Sequence, residues 1–185
     1  MSLFPLGLLS QGGGAGGGGA FEQIATTIAD GSSQSVTFSS IPSTYKHLQL
    51  RITANANLAT RYHLVTLNGT TTNYKNHILW GNGSSVFSDA ATPSTGNTTA
   101  FTTLNDVPSN TNQFGATIMD ILDYANTNKN KTSRTLHGAA SAANQIGLTS
   151  GLWINTAAVT SLTVTCSGGG YYTNGSRFTL YGIKG

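Results

Sequence analysis

The residues of this chain that could do acid–base, metal or nucleophilic chemistry are four histidines, six carboxylates and one cysteine. His47, His63, His77 and His137 fall on four different strand candidates, and no H-x-H or H-x-x-x-H spacing draws two of them together. A metal needs convergent ligands, so histidines on the polar faces of separate strands are expected to be solvated, with no metal site. The acids are Glu22, Asp30, Asp89, Asp106, Asp120 and Asp123. A glycosidase needs two carboxylates facing across one cleft. Asp120 and Asp123 are the only close pair, and they suit a turn cap as well. Asn126 and Asn128 follow and suggest a weak calcium site, but calcium asks for more oxygen ligands from one loop. Cys166 stands in phase with Leu162 and Val164, as a small buried hydrophobe does, and a lone cysteine makes no internal disulfide. There is no G-x-S-x-G. The glycines from Gly12 to Gly19 lack the Lys-Ser/Thr ending and the preceding strand of a phosphate loop. These residues predict no catalytic site, no cofactor and a chain that is not an enzyme. Tyr171-Tyr172, set between Gly168–Gly170 and Asn174-Gly175, is the best candidate for an exposed recognition contact, such as a glycan. Edge-strand tyrosines or a subunit interface would give the same pattern.

The elements that would carry these residues are strands. Lys46–Thr53 alternates without error: Leu48, Leu50 and Ile52 on one face, His47, Gln49, Arg51 and Thr53 on the other. One wet face implies an antiparallel sheet. Val36 and Phe38 alternate upstream, and Pro42-Ser43-Thr44 supplies a turn, so the two read as a hairpin-like unit. Further strands are expected at Phe21–Ala29, Tyr62–Leu67, Asn76–Trp80, Ser84–Ser88, Ala100–Asn105, Gln113–Leu122, Thr132–Gly138, Ile146–Ile154, Val159–Cys166 and Arg177–Ile183. Asn68-Gly69 is a strong turn signal. Ala90–Thr99 reads as a loop. In Gln113–Leu122 the apolar set Phe114, Ala116, Ile118 breaks phase at Met119–Leu122, which predicts a bulge or burial of both faces. Trp153 is expected in the core, and Phe178, Leu180 and Ile183 are expected to point inward. Ten to twelve short strands spaced this way predict an all-β, antiparallel β-sandwich of jelly-roll type, with both end strands in the central sheet.

Composition agrees. Of 185 residues, 8% are charged and 38% hydrophobic, with net charge +3; about a third are Ser, Thr or Asn. That is too apolar for disorder and suits a neutral, hydroxyl-rich surface. The pI near 9.1 comes from scattered cations, not the clustered stripe that nucleic acid demands. No 18-residue apolar run predicts a membrane span. Residues 1–20 stand apart as an extended Gly-rich arm: Leu3, Phe4, Leu6, Leu8 and Leu9 precede the glycine run. The segment lacks the positive start of a secretion signal. Glycines make a flexible tether, and the apolar tip fits a groove on another chain. The expected organisation is an anchor and arm over 1–20 and a displayed domain over 21–185.

Several phrases together resemble a group of phage virion structural proteins common in marine and freshwater viruses: Phe21-Glu22-Gln23-Ile24-Ala25, Val36–Arg51 with its Phe-Ser-Ser-Ile-Pro core, Asp120–Lys129, Gly151-Leu152-Trp153, and Phe178–Gly185 with Leu-Tyr-Gly-Ile-Lys. The resemblance covers Phe21 to Gly185. It implies a structural component on the virion surface, a capsid decoration or head-fibre protein ahead of a tail fibre or appendage, and it transfers no catalytic residue. The implied partners are other virion proteins, major capsid or tail, and further copies of the chain, by analogy a homotrimer. A host-surface glycan is the alternative partner; nucleic acid and membrane are not expected.

Overall fold

The computed structural model describes residues 19–59, 61–91, 99–103, 106–140 and 144–185. The expected arm and its apolar residues Leu3, Phe4, Leu6, Leu8 and Leu9 lie outside the described residues, apart from Gly19 and Ala20 at its end. Twelve strands follow in chain order among the described residues: β1 (Phe21–Ile28), β2 (Ser35–Phe38), β3 (His47–Ala54), β4 (His63–Leu67), β5 (Tyr74–Gly81), β6 (Val86–Ala91), β7 (Phe101–Thr102), β8 (Gly115–Leu122), β9 (Lys131–Ala139), β10 (Gln145–Trp153), β11 (Leu162–Cys166) and β12 (Arg177–Ile183). Val, Ile, Thr and aromatic residues fill them, and Gly and Asn punctuate them. Among the described residues a single 3-10 turn, Ser167–Gly169, interrupts the pattern.

The strands form a β-sandwich of two antiparallel sheets. The larger has the order β1-β12-β3-β8-β9-β10-β5-β6, the smaller β2-β11-β4-β7. The chain changes sheet at nearly every step. β1, β3, β8 and β12 lie in the larger sheet, whereas β2, β4, β7 and β11 lie in the smaller. β5-β6 is a hairpin within the larger sheet, and β8-β9-β10 is a meander within it. Both end strands are in the larger sheet, β1 at its edge and paired with β12.

One expectation about turns is corrected by this topology, and the other holds. β2 and β3 are not a hairpin; the Ile41-Pro42 corner carries the chain from the smaller sheet to the larger, with Ile41 buried at the crossing. Asn68-Gly69 does form a tight turn, with φ of 52° and 65° and Thr70 N–H donating to Leu67 O at 3.0 Å, but it too leads between sheets. Turn chemistry fixes local reversal; which strand receives the chain is decided by the buried faces.

The core lies where the smaller sheet covers the larger. Leu48, Leu50, Ile52 and Ala54 of β3 meet Phe178 and Leu180 of β12, Met119 and Ile121 of β8, and Val36, Phe38, Val65, Leu67, Leu162, Val164 and Cys166 from the smaller sheet. Full burial of such side chains stabilises by about 1.5–3 kcal/mol each. Trp153 is buried against Tyr74, with ring centroids 6.0 Å apart, and Phe101 meets Tyr74 edge-on at 5.1 Å.

The alternation of β8 runs opposite to expectation. Gly115, Thr117, Met119 and Ile121 point inward, Ala116 and Ile118 outward, and there is no phase break or bulge. Gly115 is required because an added Cβ would fall 1.6 Å from Asp106 O. In β12, Gly182 faces inward against the Tyr45 ring, so Ile183 takes the opposite face and is half-buried.

Candidate functional site

The larger sheet has two unlike faces beyond β8. On the inner face of β9 stand Lys131, Ser133, Thr135 and His137, all buried. Lys131 is held by three carbonyls, of Asn126 at 2.5 Å, Lys129 at 2.8 Å and Thr156 at 3.0 Å, while desolvation pulls its pKa down. His137 Nε2 meets Thr149 Oγ1 at 3.1 Å, and burial holds the imidazole below its ordinary pKa. Ser133 Oγ, Thr135 Oγ1 and His137 Nδ1 have no partner among the described residues. Glycines of β10 make room for this layer: a Cβ on Gly147 would strike the His137 ring, and one on Gly151 would strike Phe101.

The outer face of the same strands is apolar. Ile118, Leu136, Leu148 and Leu79 are directly registered across β8, β9, β10 and β5, and they are 42%, 48%, 54% and 48% exposed. They floor a depression of about 490 Å³ that also takes in Asp120, Arg134, Ser150 and His77. A second depression of about 550 Å³ shares Ile118 and Leu136 and continues past Gly138 to Ile146. A third, of about 370 Å³, shares His77 and Ser150 and runs on to Thr132 and Leu152. Together they make one groove along β9 and β10. Its polar row is read across the register as Gln49, Asp120, Arg134, Ser150 and His77. Asp120 accepts from Gln49 Nε2 at 2.8 Å, and Gln49 Oε1 accepts from Arg51 Nε at 2.7 Å.

The singled-out residues fall in separate places. His77 lies in the groove and His47 at the end of β3, accepting the Asp123 N–H at 2.9 Å. His63 and His137 are 1% and 2% exposed, which corrects the expectation that all four are solvated. His63 belongs to a buried chain of polar groups: its Nδ1 lies 2.8 Å from the Tyr172 hydroxyl, and its Nε2 lies 3.6 Å from Asp106 Oδ2. A neutral ring with its proton on Nε2 leaves Nδ1 to accept from the tyrosine. Desolvation holds His63 below its ordinary pKa, with the Asp106 carboxylate opposing. Thr103 donates to Asp106 at 2.5 Å and Thr117 donates to its other oxygen. Sealed from solvent, this chain of groups fixes β4, β8 and the 172 segment to one another.

Asp120 and Asp123 do not share a cleft. Asp120 belongs to the groove, and Asp123 sits in the turn after β8, paired with Lys129 at 3.0 Å and Lys46 at 3.3 Å. Hydrogen bonds from those lysines hold its carboxyl below the usual range, so lysine ammoniums stand where a calcium ion was considered. Among the described residues no three or more His, Cys, Asp or Glu side chains come together. Cys166 is buried as expected, and desolvation pushes its thiol up to about 11.

The tyrosine pair splits. Tyr171 is 44% exposed, but Tyr172 is fully buried, packed on Phe178 at 4.7 Å. The expectation that both form one recognition surface is corrected: neighbouring residues in extended backbone face opposite ways, and here one of the two directions is the core. The groove itself was missed. Its signal is in β10, where Ile146, Leu148 and Leu152 alternate with Gly147, Thr149 and Gly151; glycine on one face marks close approach there, so the large residues must point away.

No protein-family model matches the chain, and no curated protein matches it. Among solved structures, the crystal structure of the marine PL-14 alginate lyase from Aplysia kurodai matches at a TM-score of 0.34 and 12% identity, over 77% of this chain and 70% of that one. The expectation that the chain is not an enzyme is corrected on that finding, since the structure it matches is a lyase. At so low a TM-score the likeness assigns no reaction, substrate or catalytic residue.

Proposed function

We propose that the chain is a structural component of the bacteriophage particle surface, a capsid decoration or head-fibre protein in preference to a tail fibre or appendage. The observation that carries this is the apolar outer strip Ile118–Leu136–Leu148–Leu79. A monomer in water rarely leaves such a strip open; a subunit of a larger assembly covers it. The resemblance of Val36–Arg51, Asp120–Lys129 and Phe178–Gly185 to phage virion proteins supports the same reading. We further infer a jelly roll. With β5, β6, β9 and β10 set aside, the remaining strands lie in the orders β1-β12-β3-β8 and β2-β11-β4-β7, those of two interleaved Greek keys. The four other strands extend one sheet and carry the strip. In this reading the arm over 1–20 holds the domain to its neighbours through Leu3, Phe4, Leu6, Leu8 and Leu9, and the assembly is a closed homo-oligomer, a trimer by analogy. The glycan alternative keeps only Tyr171 of its pair, and no Phe, Tyr or Trp ring stands among the residues lining the groove on which a sugar would stack. The test is immunogold labelling of purified particles with antibody to this chain. Label on heads is expected; label on tails favours the appendage form, and absence from purified particles sinks the proposal.

A further inference from the structure

The groove on the larger sheet has a shape and chemistry that select an occupant. It follows β9 and β10 from Ile146 to Leu152, six residues on, or about 20 Å. Its middle is aliphatic, with Ile118, Leu136, Leu148 and Leu79, and the adjoining row holds Ile146 at 64% exposure and, on β6, Val86 at 75%. Successive rows of this floor are two residues apart, about 6.6 Å. An occupant that matches is an extended peptide with apolar side chains at alternate positions.

The chain contains one such segment outside the described residues. In Leu3-Phe4-Pro5-Leu6-Gly7-Leu8-Leu9, the residues Phe4, Leu6 and Leu8 alternate. In extended backbone they share one face at that same spacing. The segment carries no charged side chain, as the aliphatic rows at Leu148 and Ile146 require. Pro5 lacks an N–H and tolerates lying on a sheet face, where no ladder bond is asked of it.

Reach and path together favour a neighbour's groove over the chain's own. The described chain enters β1 at the sheet edge, four strands from β9, about 19 Å across and about 13 Å along, or about 23 Å on the diagonal. A Gly-rich coil of eleven residues, the length from Ser10 to Ala20, would have a root-mean-square span of about 18 Å and a limit near 36–40 Å. Folding back onto its own groove would stretch the linker past its mean span. The path would also cross the outer face where Arg51 stacks on Phe21 and Tyr181 at 5.3 and 4.7 Å. A neighbouring groove can be approached without crossing that stack.

We propose that the groove receives residues 3–9 of a second copy of this chain, with Leu6 on Leu148, Leu8 one row on at Ile146, and Phe4 one row back over Ser150 and Arg134. The proposal rests on the assembly reading above and names the partner that takes the arm. The exchange links copies head to tail and closes if the rotation between them closes.

Charge complementation in the full chain tests it. Light scattering over a concentration series compares wild type, Leu6→Asp and Leu148→Lys, each checked for an unchanged urea midpoint; Leu148 faces away from the core. Wild type is expected to associate, and each variant is expected to need at least about tenfold more protein to do so, the cost of about 1.4 kcal/mol at one contact. Mixing the two variants is expected to lower the protein needed for association below that of either alone, because strictly alternating copies give each arm a groove it fits and an odd-numbered ring keeps only one mismatched junction. A monomeric wild type overturns the proposal. So does dissociation by Leu148→Lys alone, which would mean face-to-face packing of two grooves, or by Leu6→Asp alone, which would put the arm elsewhere. Failure of the mixture to improve on either variant alone overturns it as well. If the chain associates as expected but is absent from particles, the particle reading falls and the arm exchange stands.

Discussion

β3 and β10 are strands of one sheet with opposite polarity. In β3 the large apolar residues Leu48, Leu50 and Ile52 face the smaller sheet and polar residues face out. In β10 glycine and threonine face in, and Ile146 and Leu148 face out. β9 repeats the inversion, with Ser133, Thr135 and His137 inside and Leu136 outside. The difference follows from what lies behind each strand. β3 is backed by β2, β4 and β11, which supply aliphatic side chains. β9 and β10 extend past that cover and are backed by a thin polar layer around Phe101 and His137. Hydrophobic burial is therefore finished inside the first region and left open on the outside of the second.

The largest expected effect lies inside. Trp153→Ala should destabilise the domain by about 3–5 kcal/mol through lost burial and a cavity, read as a drop in urea midpoint. Leu148→Ala, on the other face of the same strand, should change the stability of the unassociated chain by less than about 0.5 kcal/mol. Equal losses at the two positions would break the comparison, because they would show the outer strip already packed within the monomer.

Acid should act next, and through both regions. His63 and His137 are buried with their pKa values lowered by desolvation. The unfolded chain then binds more protons than the folded one once the pH falls below about 6.5. The stability they permit is complete above that pH and is lost as the pH falls towards their folded-state values. With both histidines titrating, the slope is at most about 2.7 kcal/mol per pH unit. Urea midpoints between pH 8 and 5 measure it, and His137→Gln should halve it. A flat profile would mean that water reaches the polar layer.

Much of this was legible in the sequence, and the failures share one cause. Alternation identifies a strand and its two faces but not which face is covered. In β3 the apolar set is the inward set, so Leu48, Leu50 and Ile52 read correctly. Ile118 in β8 is apolar and outward, and there the same rule reverses the strand; the apparent phase break at Met119 is the true core phase beginning to show. Cys166 read correctly because its neighbours in phase, Leu162 and Val164, are also core residues, whereas Trp153 is a core residue on a face it shares with Gly147, Thr149 and Gly151. The sheet changes at Ile41-Pro42 and Asn68-Gly69 were hidden because a turn motif encodes a reversal, not the destination of the next strand. The groove needed the glycines Gly147 and Gly151 to be weighed as inward residues, against the habit of reading apolar size as burial.

The smallest expected effect tests the same lesson over two adjacent residues. Tyr172→Phe keeps the ring on Phe178 and removes the hydroxyl that meets His63 Nδ1, leaving a buried nitrogen without its donor. The expected cost is about 1–2 kcal/mol. Tyr171→Phe removes a hydroxyl from a half-exposed ring and should leave the urea midpoint within about 0.5 kcal/mol of wild type. A measurable loss at Tyr171 alone would mean that its hydroxyl is engaged and Tyr172 is not, and the inward and outward directions assigned to this pair would have to be exchanged.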